Sequence, residues 1–336
     1  MKHAFWTRPT PQFTARMIAA ALSLIGTVLS GAPAEAKDSL PARGEHNLTL
    51  EHGSGVRTYV AFLPPQAPAV AAPLVIVLHG LGGSGENILT QGRWREAAAR
   101  HGFIVLAPDG VAENPNRRPR FRTNPRSWNS GPATGSPASA RNVDDSGFLR
   151  ALIGRWVAAG RVDPDRVYLT GFSNGAGMSF RAGADLSDLV AAIAPVSNGL
   201  LASVDRLAAP VSLLMIWGED DPLNPIAGGR VDRAAAAVDR PSAEESFMRW
   251  SALLNCRGRP DVTTPRPDVS LWRHQACDGG ADTRLYRVAG LGHQWPGGRV
   301  FLRFVSGPGS DAIDATETIW DFFAAHPRGR PSAGPG

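Results

Sequence analysis

Short apolar, β-branched runs recur along this chain: "RTYVAFLP" at 57–64, "PLVIVLH" at 73–79, "FIVLAPD" at 103–109, "RVYLTG" at 166–171, "LVAAIAPVS" at 189–197, "VSLLMIWG" at 211–218 and "TRLYRVAG" at 283–290. Between them lie stretches with helical periodicity, at Glu86 to Arg100, Asp144 to Ala159, Gly175 to Leu186, Ser242 to Leu254 and Asp311 to Ala325. Strands that alternate with helices predict a parallel sheet. Several of the strand runs are apolar without interruption, as expected where helices cover both sheet faces. The expected fold class is α/β, a doubly wound, mostly parallel sheet with helices on both faces and no large lid domain. Two stretches break the pattern. Residues 113–142, rich in proline, glycine, serine and asparagine, predict one long loop, and residues 255–282 predict a second irregular stretch.

The N-terminus predicts an export signal over residues 1–36. Lys2, Arg8 and Arg16 precede the apolar "MIAAALSLIGTVLSGA", and Ala34-Glu35-Ala36 fits a small-residue cleavage pattern. The apolar run is shorter than the roughly 20 residues of a membrane span, so no membrane anchor is expected after cleavage. The expected organisation is a segment over 37–54, one domain over 55–325 and a disordered tail over 326–336, with His326 in that tail. The formal charge of +5 falls to +3 once the leader is removed, and nearly all of the positive charge is arginine, clustered partly at "NRRPRFRTNPR". One basic loop without an ordered basic face gives no reason to expect a nucleic-acid partner. In an exported chain the two cysteines, Cys256 and Cys277, predict a disulfide. No metal-ligand motif is present, and neither a metal nor a cofactor is expected.

The chemistry starts at "LTGFSNGAGMSF", residues 169–180, where Ser173 stands between Gly171 and Gly175. With 37 glycines in 336 residues such spacing can arise by chance, so the motif needs partners. A serine hydroxyl needs a base, an acid that orients the base, and donors for an oxyanion. A strand-to-helix turn at Ser173 would expose its Oγ and aim the next N–H into the site. After it, "VSLLMIWG" runs into Glu219, Asp220 and Asp221, the candidate acids. Of the later histidines, His293 follows a strand in a glycine-bracketed turn and is the best base. His274 has no strand leading into it. A rival reading uses Gly80, Gly82 and Gly85 as a dinucleotide-binding turn with Asp109 as its acid, in an oxidoreductase. That reading leaves "GFSNG", "WGEDDP" and "GLGHQW" unexplained.

With serine, acid, base and a His79-Gly80 turn placed, the chain resembles the polyhydroxybutyrate depolymerase esterases and the related feruloyl and acetylxylan esterases of the α/β-hydrolase fold. The resemblance covers roughly residues 55–325 and rests on "LVIVLHGLGGSGEN", "FIVLAPDG", "SWNSG", "NVDDSGFLRAL", "VDPDRVYLTGFSNGAGM", "WGEDDPLNPIAGG" and "GLGHQWPGG". It implies Ser173 as nucleophile, Asp221 rather than Asp220 as acid, His293 as base, and the backbone N–H groups of Leu81 and Asn174 as oxyanion donors. The implied activity is hydrolysis of carboxylic esters by a secreted, monomeric serine esterase. Hydroxybutyrate-type oligoesters are the expected substrates, with feruloyl or acetylxylan esters as the alternative. A serine peptidase and a non-catalytic binding protein are remoter readings. No insertion separates the strand after Ser173 from the acid strand, so an open pocket is expected, with Trp128 and Trp295 as candidate walls. The chain has no room for a linker and a separate polymer-binding domain, which favours soluble oligomers or amorphous polyester over crystalline polymer.

Overall fold

The computed structural model describes residues 40–53, 55–68, 71–131, 134–231 and 238–329. The expected leader at 1–36 and the last residues of the tail, 330–336, lie outside the described residues. Ten strands form one sheet: β1 (Gly44–His52), β2 (Gly55–Leu63), β3 (Ala72–Leu78), β4 (Ile104–Pro108), β7 (Val162–Phe172), β8 (Ala192–Val196), β9 (Ser212–Gly218), β12 (Asp261–Arg266), β13 (Val269–His274) and β14 (Thr283–Val288). Their order across the sheet is β1-β2-β4-β3-β7-β8-β9-β14-β13-β12. The six central strands, β4 to β14 in that order, pair in parallel. The flanks are antiparallel. Two small ribbons sit outside this sheet: β5 (Val111–Ala112) pairs with β6 (Arg126–Ser127), and β10 (Gly229–Val231) with β11 (Val238–Arg240).

Period-two side-chain geometry divides the core into two layers. On β3, Leu74, Ile76 and Leu78 enter one cluster and Val75 and Val77 the other. The first layer is covered by α4 (Asp145–Ala158), α5 (Asn174–Asp185) and α6 (Ala243–Leu253) through Phe148, Phe180, Phe247 and Trp250. The second is covered by α1 (Gly85–Gln91), α2 (Trp94–His101) and α8 (Ala315–Ala325) through Leu89, Trp94, Ile319 and Phe323. Two short helices complete the set, α3 (Pro137–Ala140) and α7 (Arg303–Ser306). The doubly wound α/β arrangement expected from the sequence is the one observed.

Several boundaries differ for physical reasons. The helix expected over Glu86 to Arg100 is two helices, because Arg93 takes a left-handed φ of 55° and Gly92 packs where a Cβ would stand 2.6 Å from the Trp94 indole nitrogen. The 37–54 segment contributes β1, whose half-exposed residues lack an apolar run but pair with β2 along its whole length. Residues 255–282 hold the β12–β13 hairpin, so His274 does end a strand. Every residue of β12 is exposed, as befits a polar edge strand carrying Pro265 at a register shift. The 113–142 loop carries β6 and α3. Cys256 and Cys277 are joined in a disulfide across 21 residues. His326 is no part of a frayed tail: it is buried, and its ring bonds the Phe322 carbonyl oxygen at 2.7 Å and approaches Asp282 at 3.5 Å.

Candidate active site

Ser173 lies between β7 and α5 with φ 54° and ψ −115°, a region that a non-glycine residue enters only under constraint. The flanking glycines show what the constraint is. A Cβ on Gly171 would lie 2.4 Å from the Gly175 carbonyl oxygen, and one on Gly175 would lie 2.2 Å from that of Leu78. The turn is therefore too tight for any side chain at either position. The main chain of Ser173 is pinned on both sides: its N–H donates to the Val196 carbonyl at 2.9 Å, and its carbonyl accepts from Ala176 N–H at 2.9 Å and from the Asn198 amide at 2.9 Å. Asn174 N–H opens α5 and has no intrahelical partner.

The candidate acid and base come from two loops at the C-terminal ends of β9 and β14. One Asp221 oxygen accepts N–H groups from Leu223 at 2.9 Å and Asn224 at 2.8 Å, which aims the other at His293 Nδ1, 2.7 Å away. Asp220 is exposed, and Glu219 pairs with Arg287 at 3.0 Å. His293 is buried, its N–H donates to the Ser306 carbonyl at 2.6 Å, and its ring packs on Phe172, the residue before Ser173, with centroids 4.7 Å apart. With Nδ1–H committed to the carboxylate, Nε2 is the nitrogen left to accept a proton. Among the described residues no hydrogen bond engages Ser173 Oγ, and a base–nucleophile bond of this kind tightens on substrate binding.

The turn between β3 and α1 faces the serine. A Cβ on Gly80 would touch the Ser173 Cβ at 3.4 Å. His79 is buried and accepts the Gly110 N–H on Nε2 at 2.9 Å, which fixes its proton on Nδ1. That proton goes to the Gly80 carbonyl, 2.7 Å away. Burial pushes the imidazole down to about 4, so it is neutral at pH 7. Carbonyl and N–H point oppositely across a trans peptide. Anchoring the Gly80 carbonyl on His79 therefore turns the Leu81 N–H away from that ring, and this N–H makes no hydrogen bond among the described residues. The Trp128 indole donates to the preceding carbonyl, that of His79, at 3.0 Å.

The two tryptophans expected as pocket walls are instead supports. Trp128 and Trp295 have at most 1% of their surface exposed and offer nothing to a substrate. Each indole N–H finds an internal acceptor, Trp295 on Thr316 at 3.0 Å, and each ring fills a core layer. The long loop is tied down beside Ser173: the Asn174 side chain accepts the Trp128 N–H at 2.7 Å and donates to the Trp128 carbonyl at 3.1 Å. Behind it, the buried pair Arg57–Asp145 at 2.8 Å also receives the Asn129 N–H. Burial raises the Asp145 carboxyl even against this arginine. Sequence reasoning missed the His79 side chain, Asn198 and Asp145, although "NVDDSGF" had marked the last. The rival dinucleotide reading fails on geometry. Asp109 is spent on the Gly85 N–H at 2.9 Å and the Thr58 hydroxyl at 2.7 Å, and Gly85 is glycine because the Ala107 carbonyl would lie 2.0 Å from its Cβ.

Comparison with known proteins identifies the family. The model of the family described as "Esterase PHB depolymerase" matches residues 57–232. A putative esterase, NocK, from Nocardia uniformis subsp. tsuyamanensis is 31% identical over 79% of this chain and 78% of its own length. Feruloyl esterase B from Piromyces equi is 30% identical over 70% of this chain, which spans only 42% of that relative. Among solved structures, an acetyl xylan esterase from Aspergillus awamori shares the fold, with a TM-score of 0.53 over 75% of this chain and 94% of its own at 14% identity. The chain is a serine carboxylic ester hydrolase of the α/β-hydrolase fold, and it belongs to the PHB depolymerase esterase family.

Proposed function

We propose that this chain is an exported esterase that cleaves hydroxybutyrate-type oligoesters through Ser173, His293 and Asp221. The observation that carries the reading is the 2.7 Å bond from His293 Nδ1 to a carboxylate whose other oxygen is held by two N–H groups, next to a serine in a forced turn. His293 Nε2 takes the Ser173 proton as Oγ attacks the ester carbonyl, and Asp221 stabilises the imidazolium that forms. The oxyanion is received by the N–H groups of Asn174 and Leu81. The alcohol leaves with the proton from His293, and a water activated by the same imidazole releases the acid and regenerates Ser173. Export is supported by the leader-like residues 1–36 and by the disulfide, which is at home in an oxidising compartment.

The family description favours hydroxybutyrate esters, and the 30% identity to a feruloyl esterase supports aryl esters as the second reading. The test is direct. A fluorophosphonate should label Ser173 and not Ser173→Ala, and product release from hydroxybutyrate trimer should exceed that from methyl ferulate. Full turnover by Ser173→Ala would overturn the mechanism, and a preference for methyl ferulate would overturn the substrate assignment.

A further inference from the structure

Arg240 ends β11 close behind the nucleophile, and its main chain is rigidly placed. Gly229 pairs with it across the β10–β11 ribbon, and Gly228 packs so tightly that a Cβ there would stand 2.6 Å from the Arg240 carbonyl oxygen. Among the described residues its guanidinium makes one hydrogen bond, from Nη1 to the Asn198 side-chain oxygen at 3.2 Å, and the same Asn198 amide donates to the Ser173 carbonyl. The cation thus lies two hydrogen bonds from the main chain of the nucleophile. Its Nε is buried without a partner, and among the described residues no carboxylate comes within 4 Å of it. Burial disfavours its charged form, and Asp221 offsets this only through space, because both Asp221 oxygens are already taken.

A cavity of about 260 Å³ opens beside this side chain. Leu200 and Leu201 give it an apolar wall, and Arg249, whose Nη1 is bonded to the Leu200 carbonyl at 3.2 Å, adds a second cation. The cavity's acids, Asp239 and Glu245, are both exposed, and neither reaches ion-pair distance of Arg240. A guanidinium held half out of water with no carboxylate against it among the described residues is costly unless something supplies one. Its planar fork matches a carboxylate best.

We propose that Arg240 and this cavity form a subsite for a free carboxylate on the substrate, so that the enzyme favours oligoesters ending in an acid over neutral esters. This rests on the reading of the site as acting on hydroxybutyrate-type oligoesters, whose chains end in such a group. Feruloyl and acetyl esters of sugars carry none at that end.

The test is competition against hydrolysis of p-nitrophenyl butyrate by hydroxybutyrate trimer, offered as the free acid or with its acid end capped as a primary amide. In the wild type the acid should compete about tenfold to a hundredfold better than the amide, the range expected for a charge-assisted hydrogen bond. In Arg240→Gln that ratio should fall to about one, and Arg240→Lys should restore part of it. If Arg240 merely braced Asn198, its loss would weaken acid and amide alike and leave the ratio unchanged, which would overturn the proposal. Equal competition by acid and amide in the wild type would overturn it too. An acid that competes better but is not cleaved would leave the carboxylate subsite standing and remove the oligoester reading instead.

Discussion

The substitution His79→Gln separates the two jobs of a buried imidazole. The glutamine oxygen can still accept the Gly110 N–H where Nε2 did at 2.9 Å, but nothing replaces the Nδ1 proton on the Gly80 carbonyl. The Gly80 carbonyl then keeps only its second bond, from the Gly83 N–H at 3.0 Å, and the Gly80–Leu81 peptide is held less firmly. Outright loss of an oxyanion donor lowers kcat by about 10²–10³-fold, so loosening the proposed Leu81 donor should cost up to that factor, and because the donor would act on the transition state, KM should stay near the wild-type value. A second signature follows from titration. Burial holds His79 down at about 4, against about 6.5 in the unfolded chain. The unfolded state therefore takes up a proton that the native state refuses, so this contribution is complete above pH 6.5 and is lost as pH falls toward 4. It amounts to about 3 kcal/mol over that window. Glutamine does not titrate, so urea unfolding at about pH 7 and about pH 4.5 should show a shallower loss in the variant than in the wild type, by about 2–3 kcal/mol. Wild-type kcat in His79→Gln would refute the orienting role, and an unchanged pH slope would refute the neutral, buried state.

Two further outcomes are expected. Asp221→Asn should lower kcat by about 10⁴-fold, as loss of the orienting carboxylate does in other triads, while the exposed Asp220→Asn should remain close to wild type in the same p-nitrophenyl butyrate assay. Replacing Cys256 and Cys277 together by alanine should lower the urea-unfolding free energy by about 3 kcal/mol, because the bond closes a loop over a separation of 21 residues. Equal stability with and without the bond would show that the loop is ordered by the β12–β13 hairpin alone.

The central strands were legible because both their faces are buried, so the apolar runs of β3, β4, β8 and β9 are unbroken. Edge strands obey a different rule. β1 and β12 face solvent, and their residues carry no signal stronger than the loops around them. Ser173 and His293 could be read as candidates because each follows a strand and because glycines mark turns that admit no side chain. Preferring Asp221 to Asp220 needed the resemblance, since burial, the bond to His293 and the N–H groups of Leu223 and Asn224 separate them only in three dimensions. Trp128 and Trp295 misled because an aromatic beside a motif reads the same whether it lines a cleft or fills the space beneath it. Arg240 was hidden in an arginine-rich chain, where the lack of a carboxylate beside it among the described residues is visible only in three dimensions.

Trp128 belongs to one layer of the core and Trp295 to the other. One supports the turn after β3 through the His79 carbonyl, and the other packs edge-on against Phe172, on which the His293 ring rests. The reactive centre is thereby a readout of both halves of the molecule at once. Loosening either layer should displace a proposed catalytic partner, so turnover on a small chromogenic ester is expected to serve as a sensitive gauge of folding. Residual activity after heating should report the fraction of chains with both layers intact, which makes the enzyme its own stability probe.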